Sequence, residues 1–353
     1  MGAFEDQTGK VSARVFKEDL LPRCGAPRPE VIQGPSFGVD TSVIDLGNGL
    51  ALAVSSDPLS LIPSLGLEVS AWLSVHLLAN DMSTTGFPPQ YAQFVLNLPA
   101  SLSRADFNAY WGFVDHLCKV HGIAITGGHT GQSGGQESTL AGGGTMFLTA
   151  PRGSILTSNG ARAGDAIVVT KSAALSSTSL LAMAFPETVK DRAGVEVQQK
   201  AAENFWKLSV LEESRIAAAT LTANLDLHGI HDVTEGGVLG ALDEMAQAAG
   251  LGFAVNPALI PVEPEARAVA EVFGIDPLFA VGAGSMLIAV APAAEASLRG
   301  ALSAAGIPAT TIGHFTEAAD KTLLADGRRQ AFAFDGKDPY WAAFYQAYAA
   351  GWK

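Results

Sequence analysis

The sequence predicts a two-domain protein of the α+β class. Its 353 residues are enough for two domains with separate hydrophobic cores. Apolar segments with helical and with strand periodicity are mixed throughout, and each half opens with a strand-rich turn. This order indicates two related halves rather than one doubly wound sheet. The boundary between the halves is predicted near residues 155–162.

The first half is predicted to start with a small helix and an arm over residues 1–35. A domain over 36–158 follows, and it opens with a hairpin because Gly47-Asn48-Gly49 separates two apolar runs. Helices are expected over 69–80 and 103–121. The strands expected with them are YAQFVLNLP, GIAITGGHTG running into a glycine-rich turn, and GGGTMFLTAP.

The second domain is predicted over residues 159–320. It begins with a turn and strand in RAGDAIVVTKSA and continues as a long helical region over 172–224, looser around 185–195. Further strands are expected in GSMLIAVAP and PATTIGHFT. The aromatic tail over 321–353 is expected to pack on this domain.

Composition excludes several functional classes. Hydrophobic residues make up 48% and charged residues 16%, so the chain is globular. A net charge of −13, without a basic cluster, argues against nucleic acid as a partner. Cys24 and Cys118 have no metal or disulfide spacing, which indicates a reducing compartment. With no signal-peptide pattern and no membrane-spanning apolar stretch, we expect a cytoplasmic protein without a membrane partner.

The stretch HDVTEGGVLGALDEMA allows two interpretations. Asp232 as N-cap and Glu235 as third residue would form a capping box before an amphipathic helix. Capping leaves Gly236-Gly237 unexplained, since each glycine in a first turn costs about 1 kcal/mol relative to alanine. Close approach of a ligand to the backbone would explain them. The turn alone favours capping, and both readings stay open.

Three acidic segments lie in the first half. Asp40 and Thr41 lie in FGVDTSV, Asp57 in SSDP, and Asn80 with Asp81 in LLANDMSTTG. Each alone is an ordinary turn residue. Together they offer the hard oxygen ligands that Mg²⁺ takes when it bridges nucleotide phosphates.

Two further segments carry candidate groups. In GGHTGQSGG, glycines around His129 and Thr130 would let backbone amides reach a ligand, although a flexible surface loop explains them equally well. Lys171 follows a strand and would neutralise a phosphate; a solvated lysine is the ordinary alternative. Walker, GxGxxG and HExxH patterns are missing. The pair His228 and His231 has no obvious carboxylate partner, so zinc is not favoured.

The ordered set of these motifs resembles the PurM-like superfamily. GVDTSVID, SSDP, NDMSTTG, GGHTG, RAGD and HDVTEGG occur in its order and approximate spacing over residues 35–320, most similar to the AIR synthase-related or HypE-like branch. The resemblance implies a two-domain protomer whose N-terminal strands join in a barrel across a homodimer. It also implies ATP in a groove with Mg²⁺ held by the acidic segments.

The resemblance also implies roles for individual residues. The expected catalytic residues are His129, Lys171 and Asp232. The expected nucleotide-binding residues are Asp40, Thr41, Asn80, Gly127, Gly128, Thr130, Thr234 and Gly236. The expected Mg²⁺ ligands are Asp40, Asp57, Asp81 and Glu235.

The implied function is ATP- and Mg²⁺-dependent activation of an amide-type oxygen by phosphorylation, on a small molecule or a peptide. The sequence departs from the superfamily pattern at two positions that matter for this function. His129 replaces a carboxylate of the superfamily, and the chain ends in GWK where HypE-like members have a cysteine. The expected amide is therefore not on the chain's own tail. A small-molecule kinase and a nucleotide-binding scaffold without turnover are the alternatives.

Overall fold

The computed structural model describes residues 9–134, 139–325 and 327–353. Strands over residues 31–151 form a six-stranded sheet in the order β1-β2-β3-β6-β4-β5. They are β1 Val31–Gln33, β2 Ser42–Gly47, β3 Leu50–Ser60, β4 Tyr91–Pro99, β5 Ala124–Ser133 and β6 Leu140–Pro151. All neighbouring pairs are antiparallel except β4 and β5. Within the described part of the chain this sheet is open, so a closed barrel is not formed by one protomer.

Two long helices cover one face of the first sheet. They are α2 Leu67–Ser83 and α3 Arg104–Val120, after the short N-terminal helix α1 Ala13–Val15. Alternate residues of β4 turn towards them, and Phe94 and Leu96 are buried in the shared core. The intervening residues, such as Tyr91 and Val95, are exposed on the other face. The helices thus leave one face of this sheet uncovered.

Strands over residues 166–331 form a second, seven-stranded sheet in the order β13-β12-β9-β11-β7-β10-β8. They are β7 Ala166–Thr170, β8 Leu227–Asp232, β9 Gly252–Val255, β10 Met286–Val290, β11 Ala309–Thr316, β12 Lys321–Ala325 and β13 Arg328–Ala331. Strands β7 and β10 and the edge strand β8 are buried almost throughout, because helices cover both of their faces.

The remaining helices belong to the second half. They are α4 Leu175–Ala184, α5 Pro186–Ala193, α6 Val195–Glu203, α7 Leu211–Thr220, α8 Gly237–Ala249, α9 Pro264–Phe273, α10 Glu295–Ala304 and α11 Pro339–Ala349. One core lies between the sheet and α8, and another between the sheet, α7 and α10. The final helix α11 packs with α4 and α9 through Tyr340, Ala343 and Ala347.

The mixed α+β class and the two-domain organisation are confirmed, with two local corrections. The hairpin is present, and its two-residue loop has Asn48 and Gly49 at φ 53° and 80°. The expected glycine-rich turn after residue 126 is wrong, because β5 continues to Ser133. The expected loose stretch over 185–195 is wrong too, since α5 occupies it with Pro186 in its first turn.

No helix in the described residues is long and apolar enough to cross a lipid bilayer.

Candidate active site

Acidic side chains from both halves of the chain meet in one cluster. The first half supplies them from the segment before β2, from β3 and from α2, and the second half supplies them from β8 and α8. The members are Asp40, Asp57, Asp81, His231, Asp232 and Glu244. We call this group the acidic cluster.

Three members of the acidic cluster lie close enough together to hold a metal ion. One ligand atom each from Asp40, His231 and Asp232 lies within 4.8 Å of the other two. Asp40 Oδ2 is 2.7 Å from His231 Nδ1 and accepts a hydrogen bond of 2.9 Å from the Ser158 hydroxyl. The loop before β2 and the end of β8 therefore meet at this point.

Asp232 is the last residue of β8, and its carboxylate is buried with 2% exposure. Neither of its oxygens has a hydrogen-bond partner among the described residues, and the same holds for the buried Thr41 hydroxyl. Burial and the neighbouring Asp40 raise the pKa of Asp232 to about 7. Buried polar atoms without partners are costly, so these oxygens are suited to an incoming cation.

The capping-box interpretation of Asp232 is wrong. Helix α8 begins at Gly237, and its N-cap is Gly236 without a side-chain cap. Both glycines have left-handed backbone conformations, at φ 84° and 63°, and a Cβ on Gly237 would lie 2.6 Å from the Leu278 carbonyl oxygen. The backbone itself requires glycine here, since a side chain at either position would be strained.

Asp57 and Asp81 reach the acidic cluster from regular structure rather than from turns. Asp57 lies inside β3, which continues past Pro58 because β2 pairs with β3 only as far as Val54. The missing N–H of proline is tolerated on such an edge. Asp81 lies in the last turn of α2 and accepts a hydrogen bond of 2.8 Å from Ser55.

Both carboxyl groups are shifted towards the protonated form. Burial raises the pKa of Asp57 to about 6, while Lys10 opposes the shift and Glu235 adds to it. Burial also raises the pKa of Asp81 well above its ordinary value, and Asp232, Asp57 and Asp40 raise it further. Like charges held this close repel one another, which a bound cation would relieve.

Two basic side chains, His231 within the acidic cluster and Lys10 beside it, partly balance the charge of its carboxylates. His231 Nε2 lies 3.5 Å from Glu244 Oε2, on the side opposite Asp40. Burial lowers the pKa of His231, but Asp40 and Glu244 outweigh it and raise the value to about 10. Lys10 Nζ lies 2.8 Å from Glu244 Oε2. Burial raises the pKa of Glu244, but Lys10 and His231 lower it to about 2.

The turn before α8 connects the acidic cluster to the C-terminal segment. Glu235 accepts hydrogen bonds from the Lys10 backbone N–H at 2.6 Å and from Trp341 Nε1 at 3.3 Å. Gly236 donates its backbone N–H to Asp338 Oδ2 at 2.7 Å. The Thr234 carbonyl accepts hydrogen bonds from two backbone N–H groups, those of Gly237 and Gly282. The start of α8 thus already binds a carboxylate oxygen, as helix N-termini favour.

The glycine-rich segment lies away from the acidic cluster within one chain. Gly127, Gly128, His129 and Thr130 are exposed on β5 at the edge of the first sheet. His129 pairs with Val95, Val95 with Gly143, and Gly143 with Pro58, next to Asp57. Three strand spacings separate His129 from Pro58, about 14 Å. His129 shares the uncovered face of the sheet with Val95.

Asn80 and Lys171 are both engaged inside the protein. Asn80 is fully buried, donates to the Leu208 carbonyl at 2.8 Å and accepts from the Val210 N–H at 3.0 Å. Lys171 Nζ donates to the Lys207 and Ser209 carbonyls and lies 2.6 Å from Glu213 Oε1. These contacts give both side chains structural partners in the 207–210 segment.

Sequence reasoning missed His231, Glu244, Lys10 and Asp338 as parts of the site. The expectation that His228 and His231 lack carboxylate partners is wrong, because His228 Nδ1 lies 2.8 Å from Asp165 Oδ1. On a strand, residues three apart point to opposite faces, so the two imidazoles do not form one ligand pair. Asp338 before Pro339 is a recognisable helix start and caps α11. The hydrogen bond that Asp338 accepts from the Gly236 backbone N–H cannot be inferred from the neighbouring sequence.

Fold and site together define a class: two-domain α+β proteins with a carboxylate-lined site between the halves. The sequence also matches both models of one family. The model of the AIR synthase related protein N-terminal domain matches residues 38–147, and that of the C-terminal domain matches residues 162–326. Together these ranges cover more than half of the chain. The chain therefore belongs to the AIR synthase-related family, of the PurM-like and HypE-like type.

Characterised relatives and solved structures agree with this membership. Carbamoyl dehydratase HypE of Rhizobium leguminosarum bv. viciae is 26% identical over 69% of this chain and 67% of its own length. The carbamoyl dehydratase HypE of Cupriavidus necator is 25% identical over 73% of this chain and 70% of its own length. The crystal structure of E. coli HypE matches with a TM-score of 0.66 and 22% identity over 82% of this chain and 87% of its own.

Two ligand complexes share the fold. A structure of AaThiL complexed with AMPPCP and TMP has a TM-score of 0.66 and 17% identity, and it covers 84% of this chain and 90% of its own. A structure of hydrogenase maturation protein HypE in complex with ATP has a TM-score of 0.63 and 18% identity. This match covers 94% of this chain and 97% of the HypE chain.

Proposed function

We propose that this protein is an ATP- and Mg²⁺-dependent enzyme that activates an amide-type oxygen by phosphorylation. The observation that carries the proposal is the acidic cluster, in which carboxylates from both halves meet and both oxygens of the buried Asp232 lack hydrogen-bond partners among the described residues. The family relatives named carbamoyl dehydratase HypE support the amide chemistry.

The donor atoms of the acidic cluster fit Mg²⁺. Asp40, Asp57, Asp81 and Asp232 offer carboxylate oxygens, and the buried Thr41 hydroxyl is unused among the described residues. Hard oxygen donors suit this ion, which bridges nucleotide phosphates. When bound, Mg²⁺ would supply charge neutralisation at the transferring phosphoryl group. Glu235 is directed instead towards Lys10 and Trp341, so we place it at the edge of this set.

Other groups of the chain would position the nucleotide. The start of α8 favours anions, as its bond to Asp338 illustrates, and it lies directly after Asp232. Lys10 and the protonated His231 add positive charge beside the carboxylates. In phosphoryl transfer the protein contributes mainly orientation and electrostatic stabilisation, and these residues provide both.

We do not include His129, Asn80 or Lys171 among the groups that contact the phosphates. His129 lies about three strands away on the uncovered face. Asn80 and Lys171 use their polar atoms on the 207–210 segment. We therefore propose structural roles for Asn80 and Lys171.

We further propose that the chain forms a homodimer through the uncovered face of its first sheet. Val54, Phe147 and Tyr91 are adjacent on neighbouring strands, and the Tyr91 and Phe147 rings stack at 5.3 Å. Tyr91 and Val95 are 38% and 42% exposed. A contiguous apolar surface of this kind marks an interaction site.

A titration with the ATP analogue AMPPNP tests the proposed function. We expect binding at about one site per chain that depends on Mg²⁺, and we expect Asp232→Asn to weaken it at least about tenfold only when Mg²⁺ is present. Asp115→Asn on the exposed face of α3 is the matched control. Equal binding of Mg-AMPPNP by the Asp232 variant and the parent would overturn the metal assignment.

Product analysis separates the reaction types. Release of inorganic phosphate with an amide substrate indicates activation of the amide oxygen. A stable phosphorylated product indicates a kinase, the alternative supported by the fold neighbour complexed with AMPPCP and TMP. Binding of Mg-AMPPNP without any turnover of ATP would favour a scaffold role.

A further inference from the structure

A cavity of about 280 Å³ opens beside the acidic cluster. Its walls come from residues 10–13, from the turn before α8 and the second half of that helix, and from the C-terminal segment over 334–345. Glu235 and Glu244 line it, and Glu244 is also a member of the acidic cluster. The cavity, which we call the tail pocket, therefore adjoins the site where we propose phosphoryl transfer.

Aromatic side chains form much of the wall of the tail pocket. They are Phe37, Phe334, Trp341 and Tyr345. The Trp341 and Tyr345 rings lie within 23° of parallel, with centroids 6.5 Å apart. Flat, rigid surfaces of this kind favour stacking of a planar ligand. The volume suits a small molecule, because it lies near the lower end of the range for ligand sites.

Charges in the tail pocket favour a cation. Five acidic residues line it against two lysines. The acidic residues are Glu235, Asp243, Glu244, Asp335 and Asp338, and the lysines are Lys10 and Lys337. Asp243 and Glu244 have lysine partners, whereas Glu235 has no ion pair with any described side chain. The unbalanced negative charge attracts a positively charged ligand.

The protein's own lysines already show this preference. Lys10 Nζ lies 5.9 Å from the centroid of the Phe37 ring and bonds to Glu244. Lys17 Nζ lies 5.9 Å from the same ring and donates to Gln247 Oε1 at 3.1 Å. A ring face combined with acidic or amide oxygens therefore holds an ammonium group at the edge of the pocket.

We propose that the tail pocket binds the acceptor substrate, and that this substrate is a small planar molecule carrying an amidinium, guanidinium or ammonium group. The proposal rests on the proposed function, because it takes the phosphoryl donor to bind at the acidic cluster. A ligand whose cation lies on Glu235 and between the aromatic rings presents its amide to the acidic cluster. The C-terminal segment thus determines substrate class.

Benzamidine and its neutral isostere benzamide are the probes for this pocket. Each is titrated calorimetrically into the protein, with and without saturating Mg-AMPPNP. We expect benzamidine to bind about tenfold more tightly than benzamide, and Glu235→Gln to remove most of that preference. Tyr345→Ala should weaken benzamidine at least about fivefold. Tyr348→Ala, on the same helix but outside the pocket and 72% exposed, should leave binding unchanged.

Three outcomes would overturn the proposal. The first is equal binding of the two probes, or no binding of either. The second is an equal loss of benzamidine binding in the Tyr345 and Tyr348 variants. The third is a matching loss of Mg-AMPPNP binding in Tyr345→Ala, which would assign the pocket to the nucleotide base. Failure of Mg-AMPPNP to bind the parent would instead refute the proposed function, while the titrations without nucleotide still test the pocket.

Discussion

At the scale of single residues, Asn80 shows how a motif residue can have a structural role. Its side chain amide lies at the end of α2 and bonds to the backbone on both sides of residue 209. This buried side chain therefore adds to the contacts between the two halves of the chain. In the sequence, Asn80 next to Asp81 looks like a second polar ligand, and only the three-dimensional contact separates their roles.

We expect Asn80→Ala to lower the free energy of unfolding by about 2–4 kcal/mol, because it leaves the Leu208 carbonyl and the Val210 N–H buried without partners. Urea denaturation measures this change. Asn97→Ala, at an exposed position of β4, is the control and should change stability by less than about 0.5 kcal/mol. A stable variant that has lost Mg-AMPPNP binding would instead return Asn80 to the nucleotide site.

The raised pKa values of Asp57 and Asp232, about 6 and about 7, make the stability of the metal-free protein depend on pH. Between about pH 4 and 7 the folded state holds protons that the unfolded state has lost, so stability falls as pH rises through this window. The raised pKa of His231, about 10, acts in the same direction above pH 6.5. The pKa of Glu244 is lowered to about 2, so the contribution of Glu244 to folding stability is constant above pH 4.5.

Thermal unfolding in EDTA should therefore give a lower Tm at pH 7.5 than at pH 5. Mg-AMPPNP should raise the Tm more at pH 7.5, because the ionised carboxylates bind the cation. The double variant Asp57→Asn/Asp232→Asn should have a smaller pH dependence than the parent, because two of the shifted carboxyl groups are removed. A parent protein that is more stable at pH 7.5 than at pH 5 without metal would contradict the assigned shifts.

At the scale of elements, β5 shows why the glycine-rich segment was misread. Glycines and a histidine are typical of a loop, but Gly128 is held in the sheet at φ 143°. A Cβ there would lie 1.9 Å from the Phe94 carbonyl oxygen. Close approach of the β4 backbone, rather than of a ligand, accounts for this glycine. Local sequence does not reveal which backbone comes near.

Gly128→Ala should therefore detach part of β5 from β4 and lower the free energy of unfolding by at least about 2 kcal/mol. The comparison is Gly131→Ala on the same strand, where the nearest atom to a Cβ is His129 Nε2 at 3.5 Å. That substitution should change stability by less than about 1 kcal/mol. Denaturant titration of the two variants side by side decides the point, since equal effects would refute the close packing of β4 against Gly128.

At the scale of the whole molecule, class and organisation were predictable because hydrophobic periodicity repeats over long segments. The hairpin at Asn48-Gly49 was predictable because its turn chemistry is local. Asp40, Asp57 and Asp81 were found as a set through ordered motifs, although two of them lie in regular structure. Lys10 and Glu244 were not found, because they are 234 residues apart and carry no motif. Long-range pairs of this kind arise only from folding.

The proposed homodimer predicts that a charge on the uncovered sheet face separates the subunits. Val95→Asp should convert a dimer into a monomer in light scattering, since it places an unpaired carboxylate in an apolar interface. Val120→Asp, on α3 at a position 64% exposed, should leave the oligomeric state unchanged. A parent protein that is monomeric at micromolar concentration would remove the basis for the dimer.

The strands of the two sheets are joined by one connection, residues 152–165. A chain cut within this connection would carry Asp40, Asp57 and Asp81 on one fragment and His231, Asp232 and Glu244 on the other. Neither fragment alone would contain the complete acidic cluster, so the proposed function predicts that Mg-ATP stabilises their complex by mass action. The proposed active site would thus report on fragment complementation, since nucleotide binding would measure whether the two halves have come together.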